Sequence, residues 1–379
     1  MQITLGQASL GAYAIAGCPH LTSLALPPHY LFVSSRVDVG LARKLELALL
    51  ILVAGFLIAC GTEEEAVSPS PSSSAASPQT PAASPTVVAT ISVGSKPWDV
   101  ALNPSTSRAY TANEGSNDVS VIDTETNSVV ATIPVGQGPS SLDVNVEANR
   151  IYVTNAWTDD VSVIDGATNT MRASIPVGQG PWGVAVDPTT NRIYVANSWS
   201  NDVSVIDGAS ESVVATVAAG QHPSSVAVNS RANQLYVTNE QSNDISVIDI
   251  DSGSVAATIA VGESPQFVAV NPETNLVYVA NAGSNTISVI DGESNAVLAT
   301  VPVGQGPRGL AVDPSANRAY VVNTWSNDVS LIDIATNTVV GVVPVGRAPW
   351  SVTVSSVSGR IYVADTWDST ISLIDGVSR

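Results

Sequence analysis

The chain has 379 residues, with 14 Lys plus Arg against 33 Asp plus Glu and a formal net charge of −19. Binding a phosphate backbone needs clustered cations that displace counterions, so no nucleic-acid partner is expected of a chain this acidic. Its three His (His20, His29, His222) and two Cys (Cys18, Cys60) leave only His222 beyond residue 60. That is too little to ligate haem, a copper cluster or a zinc site, so neither a cofactor nor a metal is expected.

In chain order, the first element is the apolar run LELALLILVAGFLIA at residues 45–59, preceded by Arg43 and Lys44 and closed by Cys60. A positive flank, an apolar stretch shorter than a stop-transfer span and a small residue before the cut describe an export signal over residues 1–59. The tetrad Leu57-Ile58-Ala59-Cys60 resembles the bacterial lipobox. That resemblance implies that Cys60 becomes a lipidated N-terminus tied to a membrane on the periplasmic or extracellular side. A short anchor that stays attached is the alternative. A signal begins near its positive residues, so translation is expected to start near Val37 or Val39, leaving residues 1–36 untranslated. Cys18 is then absent from the mature chain, and no disulfide can form.

Residues 60–86 are Ser, Pro and Ala with Glu63, Glu64 and Glu65 near their start. Such a stretch cannot bury enough apolar surface to offset its ordering, and it reads as a spacer.

Residues 87–379 repeat with a period of 42. Gly94, Gly136, Gly178, Gly220, Gly262, Gly304 and Gly346 keep this step. So do the series that start at Pro97, Tyr110 and Asp123. In the second copy, SSLDVNV, RIYVTN, DVSVID and TMRASIPV are rich in Val, Ile, Thr and Tyr and are bounded by Gly, Pro, Asn and Asp turns. Four short strands per unit of this length describe one propeller blade. The chain ends on a third strand, whereas TVVATISVG at 86–94 is a fourth strand with no blade before it. Pairing the two closes the ring and removes its open edges. The expected fold is therefore all-β: a seven-bladed propeller of four-stranded blades, closed by an N-terminal strand that completes the last blade.

YVTN at 152–155 and 236–239, YVAN at 194–197 and 278–281, and the variants YTAN, YVVN and YVAD at 110, 320 and 362 resemble the YVTN-repeat β-propeller family. VVATIPVG at 129–136 and NDVSVID at 201–207 add to the likeness. The resemblance implies an exported or surface protein from a family in which many members have no assigned activity. Propellers related in shape include lactonases and the haem-binding domain of nitrite reductases.

Residues that recur in every blade read as scaffold: Gly for a bend, Pro for a fixed entry angle, Asp for hairpin capping. Arg108, Arg150, Arg192, Arg318 and Arg360 recur near the Asp series as surface ion pairs. The residues that break the repeat carry more information. After the loop Pro stand Trp98, Ser140, Trp182, Ser224, Gln266, Arg308 and Trp350; two residues after the motif Asn stand Gly115, Trp157, Trp199, Gln241, Gly283, Trp325 and Trp367. Strand parity puts both loops on one face, the top, where all the tryptophans gather over blades six, seven, one, two and three.

Trp98, Trp157, Trp182, Trp199, Trp325, Trp350 and Trp367, with His222 and Arg308, are the expected ligand-binding residues. Rings of this kind stack on sugars, aromatic groups or cations, and Asp118, Asp160, Asp202, Asp244 and Asp328 would bond ligand edges. The competing reading is that the tryptophans wedge between blades. Calcium on these Asp residues lacks any D-x-D-x-D loop, and they read as solvated strand starts. His222 has no nucleophile or carboxylate beside it in sequence, and no catalytic residue is expected.

Two functions follow. One is a monomeric, lipid-anchored scaffold that binds a glycan, peptide or envelope protein without chemistry. The alternative is an enzyme with its site in the central channel, lactonase-like or related to the haem-binding domains. A third possibility, DNA binding as proposed for some relatives, runs against the acidic surface.

Overall fold

β-Branched residues and Tyr alternate with Ser and Thr between fixed turns, and the chain has no run with the 3.6-residue period of a helix. In the computed structural model, which describes residues 85–376, these segments form 28 strands, numbered here in chain order, and one 3₁₀ turn at Pro104–Thr106. The signal at 1–59, lipidated Cys60, nearly all of the 60–86 spacer and the start site near Val37 lie outside the described residues.

The first blade is β2 (Pro97–Asn103), β3 (Arg108–Asn113), β4 (Asp118–Asp123) and β5 (Ser128–Pro134), paired in that order. Five further blades repeat it. The seventh consists of β26 (Pro349–Val354), β27 (Ile361–Asp365), β28 (Thr370–Ile374) and, from the other end of the chain, β1 (Val87–Ser92). β1 pairs antiparallel with β28, Thr90 opposite Ser372 and Ile91 opposite Ile371. The protein is a closed seven-bladed propeller, and the strands of the second copy fall within a residue of those read from the sequence.

The core lies between blades. Tyr110, Val119 and Val121 of blade one pack on Leu142, Ile151 and Val153 of blade two. At the closure, Ile91, Tyr362 and Leu373 pack on Val100 and Ile122. Each Tyr of the repeat is buried in such a seam.

The repeated polar residues tie this scaffold together. In blade one the motif Asn113 donates through Nδ2 to Asp118 Oδ1 at 2.7 Å and to Ser120 Oγ at 3.0 Å. The residues of the Gly series sit in the bend between blades as expected, though without positive φ. They are required for space: a Cβ on Gly94 would lie 2.5 Å from Asn113 Nδ2, and one on Gly346 2.5 Å from Asp365 Cγ. The Asp series caps hairpins as expected, Asp123 Oδ1 accepting from the Glu125 and Thr126 N–H groups at 3.0 and 2.9 Å. Arg108, Arg150 and Arg318 reach their Asp partners at 2.6–2.9 Å and Arg360 reaches Asp375 at 3.7 Å.

A second Asn series clamps neighbouring blades on the top face. Asn117, Asn201 and Asn327 sit in the left-handed region at φ 55–60°, which Asn tolerates. Their Oδ1 atoms accept from the N–H groups of Gly138, His222 and Ala348 in the next blade at 2.7–2.9 Å. Across the closure Ser369 takes this place, its Oγ 3.4 Å from Lys96 N.

Two predictions follow from the closure and the motif network. Deleting residues 86–94 exposes the seam lined by Val100, Tyr362 and Leu373, and is expected to lower the Tm by more than about 10 °C in a thermal melt; a parent-like melt would refute a closing role. In blade seven the motif Asn is replaced by buried Asp365, whose pKa desolvation pushes up to about 6, against hydrogen bonds from Ser372 and Thr370. A raised folded pKa means the ionised form costs stability above pH 6 and that the cost fades as pH falls through 6. Blade five already shows Asn with a Thr partner, Asn281 Nδ2 donating to Thr286 Oγ1 at 3.3 Å. Asp365→Asn is therefore expected to raise the Tm at pH 7.5 by ~4–8 °C, by about half as much at pH 5 and by little at pH 4.

Candidate functional site

The innermost strand of every blade begins at the loop Pro, so the residues just after it ring one end of the central channel. Glu114 N and Gly115 N bond to Lys96 O and Ser95 O, both at 2.9 Å. The two tryptophan-bearing loops therefore share a face, as strand parity required.

The seven tryptophans separate by radius into two groups. Trp98, Trp182 and Trp350 stand at the channel mouth, half-buried. Trp98 stacks on Trp350 with centroids 4.7 Å apart and an interplanar angle of 17°, and leans on Trp182 at 5.2 Å and 49°. Small Ser140 in the blade between leaves room for Trp98 and Trp182 to meet. On the far side of Trp350 the Arg308 guanidinium lies 3.8 Å from the ring centroid. Its Nη1 donates to Gln266 Oε1 at 2.9 Å, and Gln266 Nε2 donates to Ser264 Oγ at 3.1 Å. Ser264 Oγ continues to Glu240 Oε1 at 3.2 Å, and Glu240 Oε2 lies 3.0 Å from His222 Nδ1, which has no hydrogen bond among the described residues. The mouth is thus a connected belt of aromatic, then cationic and amide, then acidic groups.

Trp157, Trp199, Trp325 and Trp367 form the outer group on the rim, with 63, 49, 60 and 71% of their surface exposed. None is a wedge between blades. The rings of Trp157 and Trp199 meet edge-on at 5.8 Å. The residue before the loop Pro explains where they stand. It has positive φ in every blade, and it is Gly138, Gly180, Gly306 or Ala348 where the rim bears Trp, but Lys96, His222 or Ser264 where it bears Gly or Gln. A Cβ on Gly180 would lie 2.6 Å from Trp199 Cδ2 and one on Gly306 2.8 Å from Trp325 Cδ2. The rim rings lie over loops whose side chains have been removed.

Asp118, Asp160, Asp202, Asp244 and Asp328 are spoken for, each accepting from its motif Asn at 2.6–2.7 Å through Oδ1. One oxygen of each is thereby tied to the scaffold.

Beneath the tryptophans the neck retains about 30 Å³ and the channel below it about 320 Å³. This cavity holds two carboxylates that the loop comparison passed over. Asp99 is buried and clasps three blades. Its Oδ1 accepts from Ser351 Oγ at 2.5 Å and Val100 N at 2.8 Å; its Oδ2 accepts from Ser141 Oγ at 2.7 Å and Leu142 N at 3.0 Å. Desolvation raises its pKa against those four bonds. Asp143 lies deeper, with Oδ1 on Val144 N and Oδ2 on Val186 N at 2.7 and 2.8 Å. Desolvation first, and the charge of Asp99 last, push its pKa to about 6. Other blades carry only Ser, Gly or Phe267 at the Asp99 position and Ala or Thr353 at the Asp143 position. The repeat therefore marked both residues, in the strand rather than in the loops.

For a metal the donor set fits poorly. All four lone-pair positions of Asp99 are occupied, and no group of three or more His, Cys, Asp or Glu suited to an ion occurs among the described residues.

Comparison with known proteins gives partial matches around the ring. A YNCE-like beta-propeller family model matches residues 103–192 and 267–360, a model of the seven-bladed lactonase beta-propeller matches 207–301, and an NHL repeat matches 179–206. Among solved structures, Kuenenia stuttgartiensis hydrazine synthase is similar in fold, with 22% identity and a TM-score of 0.70 over 75% of this chain and 96% of that one. No curated protein matches the chain.

Proposed function

We propose that the chain is a YVTN-type propeller that binds, without chemistry, a glycan of the cell envelope at the aromatic mouth of its channel. The observation that carries this reading is the stack of Trp350, Trp98 and Trp182 over a constricted neck, with four largely exposed tryptophans on the same face. Half-buried rings at the mouth and exposed rings on the rim, with only a few polar groups among them, favour a ligand that offers an apolar ring face and hydrogen-bonding edges, which a pyranose does. The rest of the proposal comes from the sequence. The chain is exported, lipidated at Cys60 and held as a monomer by a spacer outside the cytoplasmic membrane. Its acidity disfavours nucleic acid. A peptide or envelope protein is the other class of partner for the same rings.

An enzyme with its site in the channel is the second reading. It is favoured by the lactonase-family match at 207–301 and by two channel carboxylates, buried Asp99 and half-buried Asp143, with raised pKa, a common property of catalytic acids. The saturation of Asp99 and the narrow neck count against it.

The test is a glycan-array and calorimetry comparison of the protein with its Trp182→Ala, Trp199→Ala double variant. Binding is expected to fall at least tenfold while the Tm moves by less than about 4 °C. A large loss of stability, with no ligand found for the parent, would assign the rings to the scaffold.

A further inference from the structure

The Lys and Arg side chains of the top-face loops are matched with carboxylates: Lys96 with Glu114 at 3.2 Å and Arg347 with Asp368 at 2.6 Å. Arg308, at the centre of that face, has no carboxylate within 4.0 Å among the described residues. It lies on Trp350 and gives one hydrogen bond to Gln266, and its buried Nε has no partner. Burial lowers its pKa, opposed by Glu240, which already accepts from Ser264. A half-buried guanidinium with unused donors is costly unless a ligand completes it.

Two hydroxyls beside it in the neck are committed. Ser140 Oγ donates to Pro181 O at 3.0 Å and Ser224 Oγ to Pro265 O at 2.9 Å. The neck space of about 30 Å³ suits two waters or one planar carboxylate, and a guanidinium fork matches a carboxylate edge to edge. Glu240 and Glu263 on the surrounding loops have no Lys or Arg partner among the described residues and repel a polyanion, so the fit is to one carboxylate on an otherwise neutral ligand.

Resting on the glycan reading above, we propose that the mouth selects a single uronic acid residue within a neutral oligosaccharide, its ring against the tryptophan cluster and its carboxylate on Arg308. The carboxylate replaces the missing counter-ion, and the aromatic cluster supplies affinity that does not depend on charge.

The experiment is calorimetric titration of the full mature protein with xylotriose bearing one glucuronic acid, with the methyl ester of that compound and with plain xylotriose. The acid is expected to bind at least about tenfold more tightly than the ester. Arg308→Gln places at this position the residue blade five already carries, Gln266, and is expected to bind acid and ester equally. Arg308→Lys, which keeps the charge but not the fork, is expected to recover part of the preference. Trp182→Ala is expected to weaken acid and ester by the same factor. Equal affinity of the parent for acid and ester, or a preference that survives Arg308→Gln, overturns the assignment of Arg308 and leaves the glycan reading standing. Failure of all three sugars to bind overturns both. The acid-to-ester ratio is read on the parent protein and depends on no variant folding.

Discussion

Ring closure is the constraint from which the rest of this molecule follows. No blade has a core of its own. Its apolar side chains are covered by the next blade, as Tyr110 and Val121 are by Leu142 and Val153. An open ring would leave two such faces in water, and an open chain of blades has no geometric reason to stop at seven. The β1–β28 ladder solves this by taking one strand from each end of the chain. Asp99 adds to it, bridging Ser351 of the last blade and Ser141 of the second. Its buried charge is tolerable because four donors meet it.

Much of this was legible in the sequence because a repeat is an internal alignment. Strand limits, the closing strand, the hairpin-capping Asp residues and the face bearing the tryptophans all follow from period and parity. Period says nothing about radius, however. Residues after the loop Pro and residues after the motif Asn share a face, yet the first group reaches the axis and the second stays on the rim. The distinction depends on which strand is innermost. The Gly series has a second role that period does not reveal: besides sitting in its bend, it gives room to a side chain 19 residues away in sequence, Asn113 for Gly94. Asp99 and Asp143 were marked as plainly as the tryptophans, but as breaks in a strand pattern, where an inward residue counts as core until the strand is known to line a channel.

The scaffold and the variable positions follow different rules. Gly, Asn, Ser and Asp of the top-face network are nearly the same in every blade because each must satisfy the same donors. The substitutions that occur keep each pair compatible, blade five setting Asn281 against Thr286. Blade seven has Asp365 with Thr370 where blade one has Asn113 with Asp118, so two carboxylates never face each other. The rim obeys the same logic in steric form, a Trp appearing where the loop beneath it carries Gly or Ala. Only the mouth escapes pairwise compensation. Ser140 and Ser224 sit there beside Trp and Arg308, and seven-fold symmetry is lost where the seven blades come closest together.

That asymmetry lies across the closure. Trp350 belongs to the last blade and Trp98 to the first, so their stack at 4.7 Å is itself a contact between the two ends of the ring. A ligand held against both rings and Arg308 would span blades six, seven and one. Whatever binds only the closed ring must also stabilise it by mass action. The mouth is therefore coupled to closure in a way that the rim is not: Trp157 and Trp199 bridge blades two and three, which the continuous chain already joins. A rim ligand gains surface, whereas a mouth ligand gains surface and holds the ring shut.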